Sequence, residues 1–193
     1  MFVLTVDQRG SRRDIDRVGP LLEDLARHPL LRPFERTAGD EVQAVAADAD
    51  TVVDLVLELV RREHWSIGVG VGTVEEPLPA QTRAGRGPAF EAARDAVERA
   101  KKTPAGVAVE GADPQAAADA DAALTLLALL VSRRTPQGHA AVALARGGLT
   151  QAESATELGI SKQAVSQRLI AAGWHAEVAG RQLAARLLGR ADR

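Results

Sequence analysis

Residues 51–74 read TVVDLVLELVRREHWSIGVGVGTV, and they place a helix pattern directly before a strand pattern. Over residues 51–62, Val and Leu recur every three or four positions, which is typical of an amphipathic helix. Over residues 65–74, large apolar residues alternate with Ser or Gly, which is typical of a β-strand. Glycines inside a strand often mark a close approach of another backbone. The stretch therefore predicts a fold that combines helices with a sheet.

The same alternation continues on both sides of this stretch, over residues 1–111. Strand patterns also occupy residues 2–6, 34–37, 42–46 and 107–109, and helix patterns also occupy residues 15–25 and 88–102. Residues 39–41 (Gly-Asp-Glu) separate two of the strands and predict a hairpin turn. The resulting order, βαββαβαβ, predicts an α+β sandwich in which helices cover one face of a sheet.

After residue 111 the pattern is helical throughout. Asp113 and Pro114 are suited to the N-cap and first turn of a helix that runs to about residue 134. Its apolar face is wide and contains Leu124, Leu126, Leu127, Leu130 and Val131. This face either packs on its own domain or pairs with a second copy of the chain as a dimer contact. We therefore divide the chain into residues 1–111, a connecting and candidate dimerisation helix over 112–135, and an all-α unit over 136–193.

Residues 150–169 read TQAESATELGISKQAVSQRL and contain the most specific motif. Thr150 and Glu153 have the spacing of a capping box at the start of a helix. Ala155 is small where two helices must cross, and Gly159 can form the sharp turn between them. Val165 follows six residues later, and this spacing is typical of a DNA-binding helix-turn-helix. The alternative interpretation is an ordinary helical hairpin with a solvated face.

The second helix of this motif would present polar side chains to a duplex. The candidate DNA-binding residues are Thr150, Gln151, Ser161, Lys162, Gln163, Ser166, Gln167 and Arg168. Gln can contact adenine bidentately, and Arg or Lys can reach guanine or phosphate. Residues 160–175 contain no acidic residue, and residues 133–193 carry 9 Lys and Arg against 4 Asp and Glu. We therefore predict double-stranded DNA as a partner, and a homodimer, because paired half-sites multiply specificity.

A pair of carboxylates is predicted at one edge of the sheet. Asp7 ends the first strand pattern, and Asp40 lies in the hairpin turn beside Glu41. If the hairpin lies next to the first strand, the carboxylates converge in a way that suits Mg²⁺ carrying a nucleotide. The alternative interpretation is structural, because Asp is common in tight turns for backbone reasons.

A second anion-binding element is predicted over residues 83–94, which read RAGRGPAFEAAR. Two glycines precede the helix that opens at Pro88, and arginines flank them, so the segment is a candidate cradle for a phosphate. With the loop after the first strand, the candidate nucleotide-binding residues are Arg9, Ser11, Arg83, Arg86, Gly87 and Arg94.

Four blocks of residues 1–111, VDQRGSR, AGDEVQ, IGVGVGTV and GRGPAFEAAR, resemble the SatD family and, more distantly, class III nucleotide cyclases and GGDEF enzymes. The resemblance implies a cyclase-like, ferredoxin-like palm with Asp7 and Asp40 at the metal-ligand positions. In the cyclases, the matching helix carries an Asn at the position of Phe90 and an Arg at that of Arg94. Because Phe90 cannot donate a hydrogen bond, the resemblance implies nucleotide binding without turnover. Residues 150–169 similarly resemble the helix-turn-helix of LuxR-type and MarR-type regulators and of sigma-factor region four.

Composition excludes several other classes of function. The chain has no Cys, which excludes disulfides, thiolate zinc sites and a Cys nucleophile. No export signal and no apolar run near the ~18 residues of a membrane span are apparent, so we expect a cytoplasmic protein without a membrane partner. The predicted function is a DNA-binding transcriptional regulator of actinobacterial type, whose non-catalytic front domain binds a nucleotide or mediates dimerisation. The alternatives are a Mg²⁺-dependent cyclase or nucleotidyltransferase with a DNA-targeting tail, and a protein-interaction adaptor.

Overall fold

The computed structural model describes residues 1–193 apart from the side chain of Arg12. The strands are β1 (Phe2–Gln8), β2 (Arg32–Ala38), β3 (Glu41–Ala46), β4 (Trp65–Val71) and β5 (Val107–Gly111). The helices are α1 (Val18–Leu25), α2 (Ala49–Arg61), α3 (Pro88–Ala100), α4 (Pro114–Ser132), α5 (Pro136–Arg146), α6 (Gln151–Leu158), α7 (Lys162–Ala171) and α8 (Trp174–Ala191). The mixed α+β class and the βαββαβαβ order of the front half are confirmed.

The five strands form one mixed sheet with the order β2-β3-β1-β4-β5. The β2–β3 hairpin lies beside β1, and β1 is antiparallel to both β3 and β4. Strands β4 and β5 are parallel, and α3 makes the crossover between them. In the β1–β3 ladder Asp7 pairs with Glu41, so the end of β1 lies next to the hairpin turn as the sequence predicts.

Helices cover both faces of this sheet, so the expectation of a single covered face is wrong. Alternate residues of β1, including Leu4 and Val6, face a large core shared with α2, α4 and α8. The residues between them face α3, where Val3 packs with Phe90 and Ala93. Every residue of β4 is buried for this reason. The large residues of β4 face the large core, and its glycines face α3, which packs directly on the strand there.

The glycines of β4 mark the closest contact between sheet and helix. A Cβ atom at Gly68 would lie 2.8 Å from the Cα of Val97, and one at Gly70 would lie 2.8 Å from the Cβ of Ala93. Both distances are below ordinary van der Waals contact, so only glycine lets α3 cross β4 at this separation. The predicted close approach of backbones is confirmed.

The large core continues past the predicted boundaries at residues 111 and 135. Leu124, Leu127 and Val131 of α4 are buried in it, as is Leu188 of α8. This face of α4 therefore packs on its own chain, which was one of the two interpretations. Helix α8 begins at Trp174, eight residues before the predicted start at 182, because its N-terminal half packs on α4, where Gly180 lies against Leu127.

Helices α5, α6 and α7 enclose a smaller core of their own. It consists of Ala141, Val142, Ala155, Val165, Leu169 and Ala172. Leu158 and Ile160, on either side of the turn at Gly159, pack against it and are partly buried. The inward positions that the sequence predicts for the helix pair are confirmed.

Among the described residues, α4 alone is long and apolar enough to cross a membrane by length and composition. This differs from the expectation that no apolar run of sufficient length exists. The helix lies against β5, α2 and α8, and Leu124 and Ala128 on its inner face are fully buried. The inner face of α4 therefore packs on its own chain, whereas Leu126 on the other side is exposed.

Candidate functional site

One exposed polar surface on the helical unit is the outer edge of α7. Val165 and Leu169 anchor the helix in the small core, with relative exposures of 0% and 4%. Lys162, Gln163 and Gln167 occupy the opposite side and are exposed. The outward edge that the sequence predicts is therefore accessible in the monomer.

Two of the predicted DNA-contacting hydroxyls already serve as helix caps. The Thr150 hydroxyl accepts a hydrogen bond from the Glu153 backbone N–H, and the Glu153 carboxylate accepts one from the Thr150 backbone N–H, which completes the predicted capping box. The Ser161 hydroxyl accepts a hydrogen bond from the backbone N–H of Ala164 at 3.1 Å. Gly159 joins the two helices with φ of 64° and ψ of 34°, a left-handed conformation that favours glycine. These contacts hold α7 at a fixed angle to α6.

The charge of this surface is positive and unneutralised. Among the described side chains, Lys162 and Arg168 take part in no ion pair. Arg168, Ser166 and Gln151 are half-buried and lie beside the exposed edge. An edge with amide and cationic donors and no carboxylate has the chemistry to bind a polyanion.

The first cavity of the sheet unit lies at the end of β1, and it brings together Asp7 and Asp40 as the sequence predicts. It has a volume of about 770 Å³, and its lining also includes Arg9, Ser11 and Lys101. The Nζ of Lys101 lies 3.2 Å from Oδ2 of Asp7. The guanidinium of Arg9 donates to Ser66 at 3.2 Å and packs over Gly106, so it is held at the cavity wall.

Asp7 is a perturbed carboxyl. Burial raises the pKa of Asp7, and the charges of Asp40 and Glu41 raise it as well. The hydrogen bond and the charge of Lys101 lower it. The pKa of Asp7 therefore lies above the ordinary 3.8. A raised carboxyl pKa in a cavity is a feature that functional sites share with structural ion pairs.

The donor set at Asp7 does not fit a resident Mg²⁺. Lys101 already supplies the positive charge that a metal ion would bring to this carboxylate. Within the described part of the chain, no three His, Asp or Glu side chains are grouped so that they could hold a metal ion. The predicted metal ligands are thus brought together, but around an ammonium group.

The second cavity contains Arg83, Arg86, Gly87 and Arg94 and lies at the other end of α3. Its volume is about 380 Å³. Helix α3 has 13 residues, so its two ends are separated by about 20 Å at 1.5 Å per residue. The predicted nucleotide site is therefore divided: Arg9 and Ser11 lie with Asp7, and the other four residues do not.

Several N–H groups at the helix start in this second cavity are already bonded. The backbone N–H of Ala89 donates to Thr73, and those of Phe90 and Glu91 donate to Gly87. A Cβ atom at Gly85 would lie 2.7 Å from Cε1 of Phe90, so this glycine makes room for a buried ring. The anion cradle in this segment stays a prediction.

Sequence reasoning missed two charged groups. Lys101 lies at the end of the helix pattern over residues 88–102, and its ion pair with Asp7 was not predicted. The second is a buried cluster centred on Glu177, in which arginines of α5, of α8 and of the segment between α4 and α5 meet. Only the four-residue spacing of Glu177 and Arg181 within α8 was visible in the sequence.

Comparisons of the chain with family models, with curated proteins and with solved structures found no match. The resemblance to cyclase-like and helix-turn-helix families therefore stays a prediction from the quoted motifs.

Proposed function

We propose that α6 and α7 form a helix-turn-helix that binds double-stranded DNA, and that the protein is a transcriptional regulator. The observation that carries the proposal is the exposed edge of Lys162, Gln163 and Gln167 on a helix that is anchored from behind by its own core. A helix that enters the major groove needs one free polar side and a fixed angle to its partner helix. Both are present, and the edge has no carboxylate that would repel phosphates.

The sheet unit is proposed to act as a non-catalytic support. Phe90 is buried against Gly85, and Lys101 neutralises Asp7. Neither Phe90 nor Asp7 is therefore available for nucleotidyl transfer. The cavity at Asp7 keeps Arg9, Ser11 and Lys101 together and is the place where a nucleotide effector would bind. Titration with ATP and GTP, followed through the fluorescence of Trp65 beside this end of β4, tests that part of the proposal.

The DNA-binding proposal is tested by selecting genomic fragments with the purified protein and measuring its affinity for the enriched duplexes. Gln163→Ala is expected to weaken binding to those duplexes by about 1–3 kcal/mol, the discrimination of one bidentate base contact. The affinity of the Gln163→Ala variant for unselected duplexes is expected to stay close to that of the wild type, because the phosphate contacts remain. The matched control is Gln182→Ala, an exposed glutamine of α8 that lies away from α7.

Two results would contradict the proposal. One is the absence of fragment enrichment and of DNA affinity at low salt. The other is an equal loss of affinity in Gln163→Ala and Gln182→Ala, which would indicate that α7 has no special role.

A further inference from the structure

A third cavity lies where the helical unit meets the sheet unit, and none of the predicted site residues lines it. Its volume is about 440 Å³, within the range of about 300–1,000 Å³ that small-molecule sites occupy. Helices α2, α4, α5 and α8 enclose it. Its charged and titratable lining consists of Arg27, His28, Asp54, Glu58, Arg61, Arg134, His139, Arg146, Glu177 and Arg181.

One wall of the cavity is a rigid ion cluster. Glu177 has a relative exposure of 0%, and its carboxylate accepts hydrogen bonds from Arg134 and Arg181 at 2.7 Å each and from Arg146. The Arg134 side chain has a relative exposure of 2% and also donates to the carbonyl of Ala172. A buried carboxylate with three guanidinium partners fixes their positions but neutralises only one of their charges.

Positive charge exceeds negative charge in the lining as a whole. Five arginines face three carboxylates, which leaves two guanidinium charges without a counter-charge in the cavity. Arg61 makes no ion pair with any described side chain, and it lies on the exposed rim. Arg146 is half-exposed, so one side of its guanidinium is open to the cavity mouth.

The protonation behaviour of two lining groups has the same cause. Burial lowers the pKa of Arg146; the charges of Arg181 and Arg134 also lower it, and those of Glu177 and Asp54 raise it. Burial also lowers the pKa of His139; the charges of Arg134 and Arg61 add to this effect, and those of Glu177 and Glu63 oppose it. Burial disfavours charge of either sign, so the attraction for an anion comes from the arginines alone.

We propose that this cavity binds a small molecule that carries a doubly charged phosphate group, held by Arg61, Arg146 and His139. Guanidinium groups match phosphate oxygens with paired N–H donors, and they are less strongly hydrated than lysine ammonium groups. Two negative charges would balance the two unmatched arginines. A small molecule rather than a DNA phosphate fits the site because no residue of α7, the proposed DNA-contacting helix, lines the cavity.

This inference does not depend on DNA binding, and the histidines of the chain provide a direct test. Of the four His residues, His28 and His139 line the cavity, whereas His64 and His175 do not. The full-length protein is titrated with inorganic phosphate, against sodium chloride at equal ionic strength, and the imidazole signals are followed by NMR. We expect saturable shifts of His28 and His139 and no saturable shift of His64 and His175.

A pair of single-charge variants then locates the binding groups. Arg61→Gln removes a rim arginine that supports no ion pair, so the fold is retained, and we expect the dissociation constant for phosphate to rise about tenfold, the equivalent of one lost charged contact. Arg133→Gln removes an exposed arginine that lies next to Arg134 in sequence but outside the cavity. We expect it to leave the dissociation constant for phosphate unchanged.

Three results would overturn the proposal. The first is the absence of saturation at His28 and His139 in the wild type. The second is an equal response of all four histidines, which indicates general ionic screening. The third is a shift of His28 and His139 with duplex DNA but not with phosphate, which would place the cavity in the nucleic-acid surface.

Discussion

Single atoms decide how closely α3 lies on the sheet. The hydrogen of Gly70 faces α3, and a methyl group there would lie 2.8 Å from the Cβ of Ala93 and closer still to the backbone of the helix. The neighbouring backbone cannot rotate away in the manner of a flexible side chain. The glycines of β4 are therefore required by packing.

Gly70→Ala is expected to lower the free energy of unfolding by about 3 kcal/mol or more, because overpacking of a close backbone contact displaces the helix. The measurement is urea denaturation followed by circular dichroism. The control is Gly189→Ala in α8, where no atom lies within 4 Å of the added methyl group. That change is expected to raise stability by up to about 1 kcal/mol through helix propensity. Equal effects at both positions would contradict the packing argument.

The charge of Glu177 is a second property that belongs to one residue. Burial raises its pKa, but the hydrogen bonds from Arg181 and Arg134 and the charge of Arg146 hold it below the ordinary 4.5. The carboxylate is therefore favoured in the folded protein. Its stabilising contribution is complete above the unfolded pKa and is lost as the pH falls through the lower folded value.

Glu177→Gln is expected to destabilise the protein by about 3–5 kcal/mol at pH 7, because three guanidiniums lose their shared partner. The difference in unfolding free energy between variant and wild type remains constant down to about pH 5 and shrinks below it. Denaturant titrations across this pH range measure it. Glu157→Gln, at an exposed position of α6, serves as the control and changes stability by less than about 0.5 kcal/mol. A difference that grows on acidification would contradict the assigned direction of the pKa shift.

At the scale of elements, local signals in the sequence were sufficient for the helix caps and turns. Thr150, Ser161 and Asp113 cap the helices that the sequence assigns to them, because capping depends on atoms within three residues. The order of strands and helices along the front half was also predicted, since the periodicity of each segment distinguishes strands from helices. The order of the strands within the sheet was not predicted.

Elements whose position depends on distant parts of the chain were predicted less well. The start of α8 lies eight residues earlier than expected, because Gly180 is required by a contact with Leu127 and does not break the helix. The partners of the segment before α3 were not predicted for a similar reason. Its N–H groups bond to Thr73 and Gly87, and its first glycine accommodates the ring of Phe90. The periodicity of one segment carries no information about such partners.

Helix α4 has a second, outward side that bears on assembly. Leu126 has a relative exposure of 69% on the side opposite the buried Leu124 and Ala128. We propose that this side forms the contact of the homodimer that paired DNA half-sites require.

Leu126→Glu is expected to convert a dimer into a monomer, because a charge in an apolar contact is left without a partner. Light scattering coupled to gel filtration gives the mass. Leu31→Glu changes another exposed leucine, one that precedes β2, and the variant remains dimeric. A wild-type protein that is monomeric at all concentrations would contradict the proposed contact.

At the scale of the whole molecule, one part of the chain supplies most of the hydrophobic core and another part presents the exposed polar edge. The sheet with α2, α3, α4 and α8 supplies most of the core, and α5, α6 and α7 add a small unit with one exposed polar edge. The buried cluster at Glu177 connects the two parts, since its partners lie on α5, on α8 and in the segment between α4 and α5. This connection could not be predicted from sequence, because its members are separated by up to 47 positions along the chain.

The central claim is that the edge of α7 lies along a DNA duplex, and the salt dependence of binding tests it most directly. The affinity for a selected duplex is measured by fluorescence anisotropy over a range of salt concentrations, for the wild type, for Lys162→Ala/Arg168→Ala and for the charge-matched Arg186→Ala/Arg190→Ala on α8. We predict that the α7 variant binds more weakly and that its slope of log K against log salt is reduced by about two, one for each lost phosphate contact. The α8 variant is predicted to keep the wild-type slope. A wild-type slope in the α7 variant, or a reduction only in the α8 variant, would contradict the account.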